Sequence, residues 1–316
     1  MLSFFQKVKR NGFMIILVMI ILYVVLVLYS DFDKVSKSIV KIQYQYVPLI
    51  LLPMTIHLLL LGVRFHRLIR CLGIDIPFKK SVLIYIAGLF LNVTPGGAGQ
   101  IIKSHMIKTE SGDAISKTAP VIVIEKWQEL ISVLIILIGT IIVQRFAESV
   151  VITIIGICVS LLLYGIMRNR IVFLVFKKIL NRFRMLRRFD ESVENSRNTL
   201  KILTKPRMII EGLVITIPAK ILEAVSVILA FDALNIKLDF ITSIQIFFTA
   251  LVVGTLSFIP GGFGITESSM LVFLSKYGVD FSLAVAAVIF VRLTTIWYAT
   301  FLGVIMTKFV VKKKTG

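Results

Sequence analysis

Charged side chains inside apolar helices are the first chemistry this sequence offers. Glu125, Lys126 and Glu129 stand near the start of one long apolar run, Lys220 and Glu223 inside a second, Glu267 beside a third and Arg292 within the last. On a helix Glu125 and Glu129 share a face, while Lys126 pairs with Glu129, and Lys220 with Glu223, at a spacing of three. A charge at the centre of a membrane helix costs at least about 2.5–3.5 kcal/mol on insertion scales. Two readings of the spaced pairs therefore stay open: ion pairs that hold helices together, and groups that hold a charged ligand. Glu267 and Arg292 lie deepest and are expected to pair across a cavity. Arg64 and Arg67 close a further apolar run, where they read as anchors that snorkel to the cytoplasmic surface.

Two short strings resemble each other, Pro95-Gly96-Gly97-Ala98-Gly99-Gln100 and Pro260-Gly261-Gly262-Phe263-Gly264. Proline and glycine break a helix. The freed backbone amides, with any helix N-terminus after the break, suit an anion such as a phosphate headgroup. A PGGxG string alone is weak evidence for a ligand. Other chemistry is poorly represented. His57, His66 and His105 have no metal-ligand spacing, and Cys71 and Cys158 make neither a disulfide framework nor a zinc site. No P-loop, Ser/His/Asp or Cys/His constellation is visible, so no catalytic residues, metal or cofactor are expected. Trp127, Trp297 and Tyr298 read as packing or interface aromatics. The Asn92-Val93-Thr94 sequon sits in an apolar segment where glycosylation is not expected.

The elements that must position these groups are membrane helices. The chain has 316 residues, 57% hydrophobic and only 17% charged, with a net charge of +19. Soluble domains average roughly 25% charged residues. A soluble globule and a disordered chain are both excluded. Nucleic-acid binding, the other usual meaning of a basic excess, fits poorly because Lys and Arg fall between the apolar runs. Runs long enough to span occur at 12–30, 47–63, 119–143, 149–167, 208–231 and 282–307. The first follows Lys7, Lys9 and Arg10 as a signal peptide would, but it is longer than an h-region. Ser30-Asp31-Phe32-Asp33 also offers no cleavage site, so the run reads as a retained helix. Residues 81–93 and 240–258 each run into a glycine string, and 268–275 follows the second. Unwound backbone at membrane depth needs protein or water around it. Both regions are therefore expected to be re-entrant helix pairs.

Charge orients this arrangement. Segments 1–11, 64–80, 101–118, 168–207 and 308–316 fall on one side and hold 27 Lys and Arg, against 6 on the other side. That bias puts both termini in the cytoplasm of a multi-pass cell-membrane protein. The loop 168–207 holds twelve of these residues and reads as a topology determinant touching anionic headgroups, with a cytoplasmic protein partner as the alternative. The first glycine string then lies between a span running inward and one running outward, and the second between spans of the reverse order. Opposite orientation is the inverted-repeat logic of secondary transporters. The expected fold is an all-α polytopic membrane protein, one domain over 1–316. It has six spanning helices plus two re-entrant pairs, in repeat halves of about 47–143 and 208–307.

Four strings also resemble the flippase-like membrane region of the lysylphosphatidylglycerol synthase family. They are Arg64-Phe65 with Leu68-Ile69; Thr94-Pro95-Gly96-Gly97-Ala98-Gly99-Gln100 with Lys103; Glu125-Lys126-Trp127-Gln128-Glu129; and Pro260-Gly261-Gly262-Phe263-Gly264-Ile265-Thr266-Glu267. The last is the most specific, resembling the family's P-x-G-x-G-x-x-E string, and the resemblance runs from about residue 10 to 310. Members often carry an acidic residue where this chain has the uncharged amide of Gln100. The resemblance implies movement of a phospholipid or a polyprenyl-linked lipid between leaflets. It also implies that the chain lacks the soluble domain with which aminoacyl-transferring members act.

The expected function is therefore a lipid translocase and not an enzyme. The headgroup-binding set is Arg64, Pro95, Gly96, Gly97, Gly99, Gln100, Lys103, Glu125, Lys126, Glu129, Pro260, Gly261, Gly262, Gly264, Glu267 and Arg292. Membrane lipids are the expected partners, with a homo-oligomer compatible and nucleic acid not expected. Two alternatives remain: a proton- or ion-coupled transporter of small solutes, and a membrane subunit supporting a lipid-linked glycosyltransferase.

Overall fold

The computed structural model describes residues 21, 23, 24, 28, 30–40, 42, 45–91, 100–174, 190–257 and 259–311. Every named element within them is helical. They run α1 (Phe32–Val40), α2 (Tyr46–Cys71), α3 (Phe78–Gly88), α4 (Ile102–Ser111), α5 (Ile115–Val143), α6 (Ala147–Arg168) and α7 (Asp190–Leu203). Then come α8 (Pro206–Ala233), α9 (Phe240–Leu256), α10 (Ile265–Lys276), α11 (Phe281–Arg292) and α12 (Tyr298–Val311). A short 3₁₀ turn, Leu89–Leu91, ends α3, and a π-helical turn, Leu293–Trp297, joins α11 to α12.

Among the described residues, four stretches are long and apolar enough to cross a membrane: Tyr46–Cys71, Ala147–Arg168, Pro206–Ala233 and Phe281–Val310. They contain four of the expected spans. The expected 119–143 span lies within α5, a helix of 29 residues. The expected 12–30 span falls largely outside the described residues. Pro218 does not interrupt α8, and Pro53 does not interrupt α2.

Apolar side chains left uncovered by protein form stripes at helical spacing. Leu49, Leu52, Ile56 and Leu59 line α2, Ile135, Ile138 and Ile142 line α5, and Ile210, Val214 and Ile221 line α8. A soluble protein rarely leaves such faces open; lipid covers them without cost. These three helices accordingly lack a polar face along their apolar runs and bury their small and polar residues against one another, as membrane helices do.

Helices α2 and α8 form the spine. Ser226 Oγ donates to Ile50 O at 2.8 Å, His57 Nδ1 meets Ala219 O at 2.7 Å, and Arg64 Nη1 donates to Thr216 Oγ1 at 3.0 Å. One residue number rises as the other falls, so the two helices run antiparallel. Helices α3 and α12 also pack together. There a Cβ on Gly303 would stand 2.4 Å from Phe90 N and 3.0 Å from Ile86 O. Backbone atoms cannot swing aside as a side chain does. Gly303→Ala is therefore expected to cost about 1–3 kcal/mol, as overpacking does. The check is the Tm of purified protein, with Gly139→Ala, which has nothing within 4 Å, as the neutral control.

Two large apolar clusters fill the bundle. One gathers Leu130, Ala224 and Val291 with α9 and α10, and the other gathers Ile124, Trp127, Ala219 and Ala299 with α2 and α3. Helices α5, α8 and the α11–α12 run pass from one cluster to the other at Glu125–Glu129, Lys220–Glu223 and Arg292. Mid-length in each of these helices, charge separates the two apolar cores.

Candidate functional site

The ionic layer is built from interlocking pairs. Lys103, near the start of α4, donates from Nζ to Glu125 Oε2 on α5 at 2.5 Å. Its ammonium also lies 4.9 Å from the Tyr85 ring centroid and 5.2 Å from that of Phe65, within cation–π range. Arg64 is fully buried. Its Nη2 donates to Glu129 Oε1 at 2.9 Å and stands 3.6 Å from Glu125 Oε1. Its Nη1 reaches Thr216 on α8. One guanidinium thus joins α2, α5 and α8, which the planar fork of arginine suits and a lysine does not. The expectation of a surface anchor at Arg64 is corrected: the side chain turns inward because two carboxylates lie on the facing helix. Arg67 is the exposed one.

Lys126 Nζ donates to the other oxygen of Glu129, Oε2, at 3.0 Å. Lys220 Nζ donates to Glu223 Oε2 at 2.7 Å. In the second half, Arg292 Nε donates to Glu267 Oε1 at 2.7 Å and Nη2 to Gly261 O at 3.4 Å. The guanidinium carbon also lies 5.6 Å from the Phe263 ring centroid. Arg292 thereby ties the last long helix to the glycine turn. That turn holds Gly261, Gly262 and Gly264 at φ of 57°, 68° and 79°, in the left-handed region that a β-carbon disfavours. The π-helical turn begins directly after Arg292; such turns often accompany functional sites.

A cavity of about 670 Å³ opens along this layer. Its wall is mainly apolar, from α2, α5, α6, α9 and α12, and includes Leu58, Val133, Leu163, Leu251 and Ala299. Into it come Lys126, Glu129, Lys220, Glu223, Arg292, His57, Gly261 and Gly262. Ser196 and Leu200 of α7 line it too, so the described part of the basic loop is packed onto the bundle. Ser196 Oγ donates to Ser116 O at 3.1 Å.

The expected headgroup set therefore divides. Lys126, Glu129, Gly261, Gly262 and Arg292 stand on the cavity wall. Arg64, Lys103, Glu125 and Glu267 are buried behind it and hold the wall residues or one another in place. Gln100 is also buried, and Gly264 caps the start of α10. Pro260 opens the turn. Pro95, Gly96, Gly97 and Gly99 lie outside the described residues. Lys220, Glu223 and His57 are additions. The spacing of Lys220 and Glu223 was visible in the sequence, but it reads equally as helix glue. Only packing against α2 turns it toward the cavity. His57 Nδ1–H donates to Ala219 O, and no local pattern marks it. Trp127 behaves as a packing aromatic, stacked on Tyr164 at 5.5 Å with its Nε1 donating to Ser160 O.

Residues 14–303 match the family model described as the lysylphosphatidylglycerol synthase TM region. Full-length similarity extends to archaeal proteins. A UPF0104 membrane protein of Methanothermobacter thermautotrophicus is 22% identical, with 94% of each chain covered. One from Methanocaldococcus jannaschii is 23% identical over 98% of this chain and 99% of its own. A third, from Pyrococcus horikoshii, is 21% identical over 93% and 96%.

Proposed function

The chain belongs to the lysylphosphatidylglycerol synthase transmembrane-region family, and from that membership and the cavity we propose that it is a lipid translocase. It takes the headgroup of a phospholipid or polyprenyl-linked lipid into the ionic layer while the acyl chains stay in the bilayer. The observation that carries this reading is the composition of the cavity. An apolar wall suits the upper acyl and glycerol portion. Lys126, Glu129, Lys220, Glu223 and Arg292 replace the water a charged headgroup leaves behind.

The packing of the two halves supports an inverted repeat with re-entrant pairs. In each half a short helix follows a glycine string and pairs by charge with the next long helix. Lys103 meets Glu125 in the first half, and Glu267 meets Arg292 in the second, with the signs exchanged. The 27-to-6 distribution of Lys and Arg supports cytoplasmic termini and a basic cytoplasmic loop at 168–207.

The test is leaflet exchange of headgroup-labelled lipids in vesicles holding the purified protein. Exchange faster than in protein-free vesicles is expected. Vesicles with no lipid exchange, but with protein-dependent uptake of a water-soluble solute, would replace this reading with that of a solute transporter.

A further inference from the structure

The ionic layer does not balance. Five cations, Arg64, Lys103, Lys126, Lys220 and Arg292, meet four carboxylates, Glu125, Glu129, Glu223 and Glu267. The tally is of the described residues. Two pairs are matched one to one, Lys220 with Glu223 and Arg292 with Glu267, while three cations, Lys103, Arg64 and Lys126, share the two carboxylates Glu125 and Glu129. The surplus falls on Glu129, whose two oxygens are divided between Arg64 and Lys126. Arg64 is sealed from the cavity, with a side-chain exposure of 0%. Lys126 stands on the cavity wall with 37% of its side chain uncovered. An unmatched charge among apolar side chains is costly unless something pairs with it.

Resting on the lipid reading above, we infer that the site selects a phosphodiester headgroup carrying one net negative charge and that Lys126 is the residue that selects it. A single phosphodiester with uncharged substituents brings the layer to neutrality at Lys126 Nζ. A zwitterionic headgroup leaves the surplus in place, an aminoacylated headgroup of net positive charge adds to it, and a diphosphate overshoots. The same count predicts that the preference follows the residue at position 126. Lys126→Gln makes the layer neutral, and Lys126→Glu makes it negative by one.

The experiment is native mass spectrometry of the full chain in neutral detergent. Phosphatidylglycerol, phosphatidylethanolamine and an aminoacylated phosphatidylglycerol are titrated at constant salt. The unaltered protein is expected to prefer phosphatidylglycerol to phosphatidylethanolamine by about tenfold or more, which corresponds to roughly 1.4 kcal/mol. Lys126→Arg is expected to keep that preference, Lys126→Gln to abolish it and Lys126→Glu to invert it toward the aminoacylated lipid. If Lys126→Glu does not fold, the comparison of Lys126→Arg with Lys126→Gln decides. A preference for phosphatidylglycerol that survives in Lys126→Gln belongs to the basic cytoplasmic surface and overturns the inference. Preference for the zwitterionic lipid by the unaltered protein overturns it too, as does tighter binding of inorganic phosphate than of phosphatidylglycerol. Absence of binding by every lipid would instead overturn the lipid reading itself.

Discussion

Replacing Arg64 with methionine is expected to destabilise the protein by about 3–5 kcal/mol, the usual consequence of removing one partner from a buried ion pair. The side chain is fully buried. Its loss leaves Glu129 with Lys126 alone and removes the only guanidinium that joins α5 to both α2 and α8 among the described residues. Arg64→Lys retains the charge but cannot reach Thr216 and Glu129 together, so an intermediate loss is expected. Adding Glu129→Gln to Arg64→Met takes from Lys126 the carboxylate it pairs with, so no recovery of stability is expected. Thermal unfolding in detergent measures all three variants. If Arg64→Met unfolds within about a degree of the unaltered protein, the guanidinium does not hold the three helices together, and the site loses its structural base.

The contrast between Arg64 and Arg292 separates what the sequence makes legible from what packing decides. Four spans, the helical character of 119–143 and the break at Gly261–Gly264 follow from runs of apolar residues and from glycine and proline. These are local properties, and the described residues carry them. Pairings within one helix, Lys126 with Glu129 and Lys220 with Glu223, follow from a spacing of three, and both form. The pairing of Glu267 with Arg292 joins two helices, yet it is legible because few other charges lie so deep in the second half. Arg64 is different. Residues at the end of an apolar run look the same in sequence whether they reach the surface or turn inward, and only the antiparallel α2–α8 contact decides. The same contact brings His57, Lys220 and Glu223 to the cavity. Side-chain direction across a helix interface depends on helix rotation, which a run of uniformly apolar residues does not specify. A hydrophobic face would ordinarily set that rotation, but lipid and protein interior are equally apolar.

Arg292→Met is expected to cost a further large amount of stability, again about 3–5 kcal/mol, because Glu267 is completely buried and would keep a charge with no cation beside it. The pair lends itself to a separation that Arg64 does not. A buried ion pair exchanged whole for apolar residues of similar size is often neutral in stability. The double variant Arg292→Met with Glu267→Met is therefore expected to regain most of the lost Tm. The hydrogen bond to Gly261 O and the contact with Phe263 would still be missing, so full recovery is not expected. Lipid exchange should respond differently. Arg292 stands on the cavity wall, whereas Glu267 lies behind it, so the double variant lacks a cation that the proposed headgroup meets. Exchange in vesicles is expected to slow by about tenfold or more, which requires the loss of only about 1.4 kcal/mol of stabilisation at the slowest step. A double variant that is both stable and as fast as the unaltered protein would make Arg292 a packing residue. The cation at the glycine turn would then serve the fold alone, and headgroup passage would have to rest on Lys126 and Lys220.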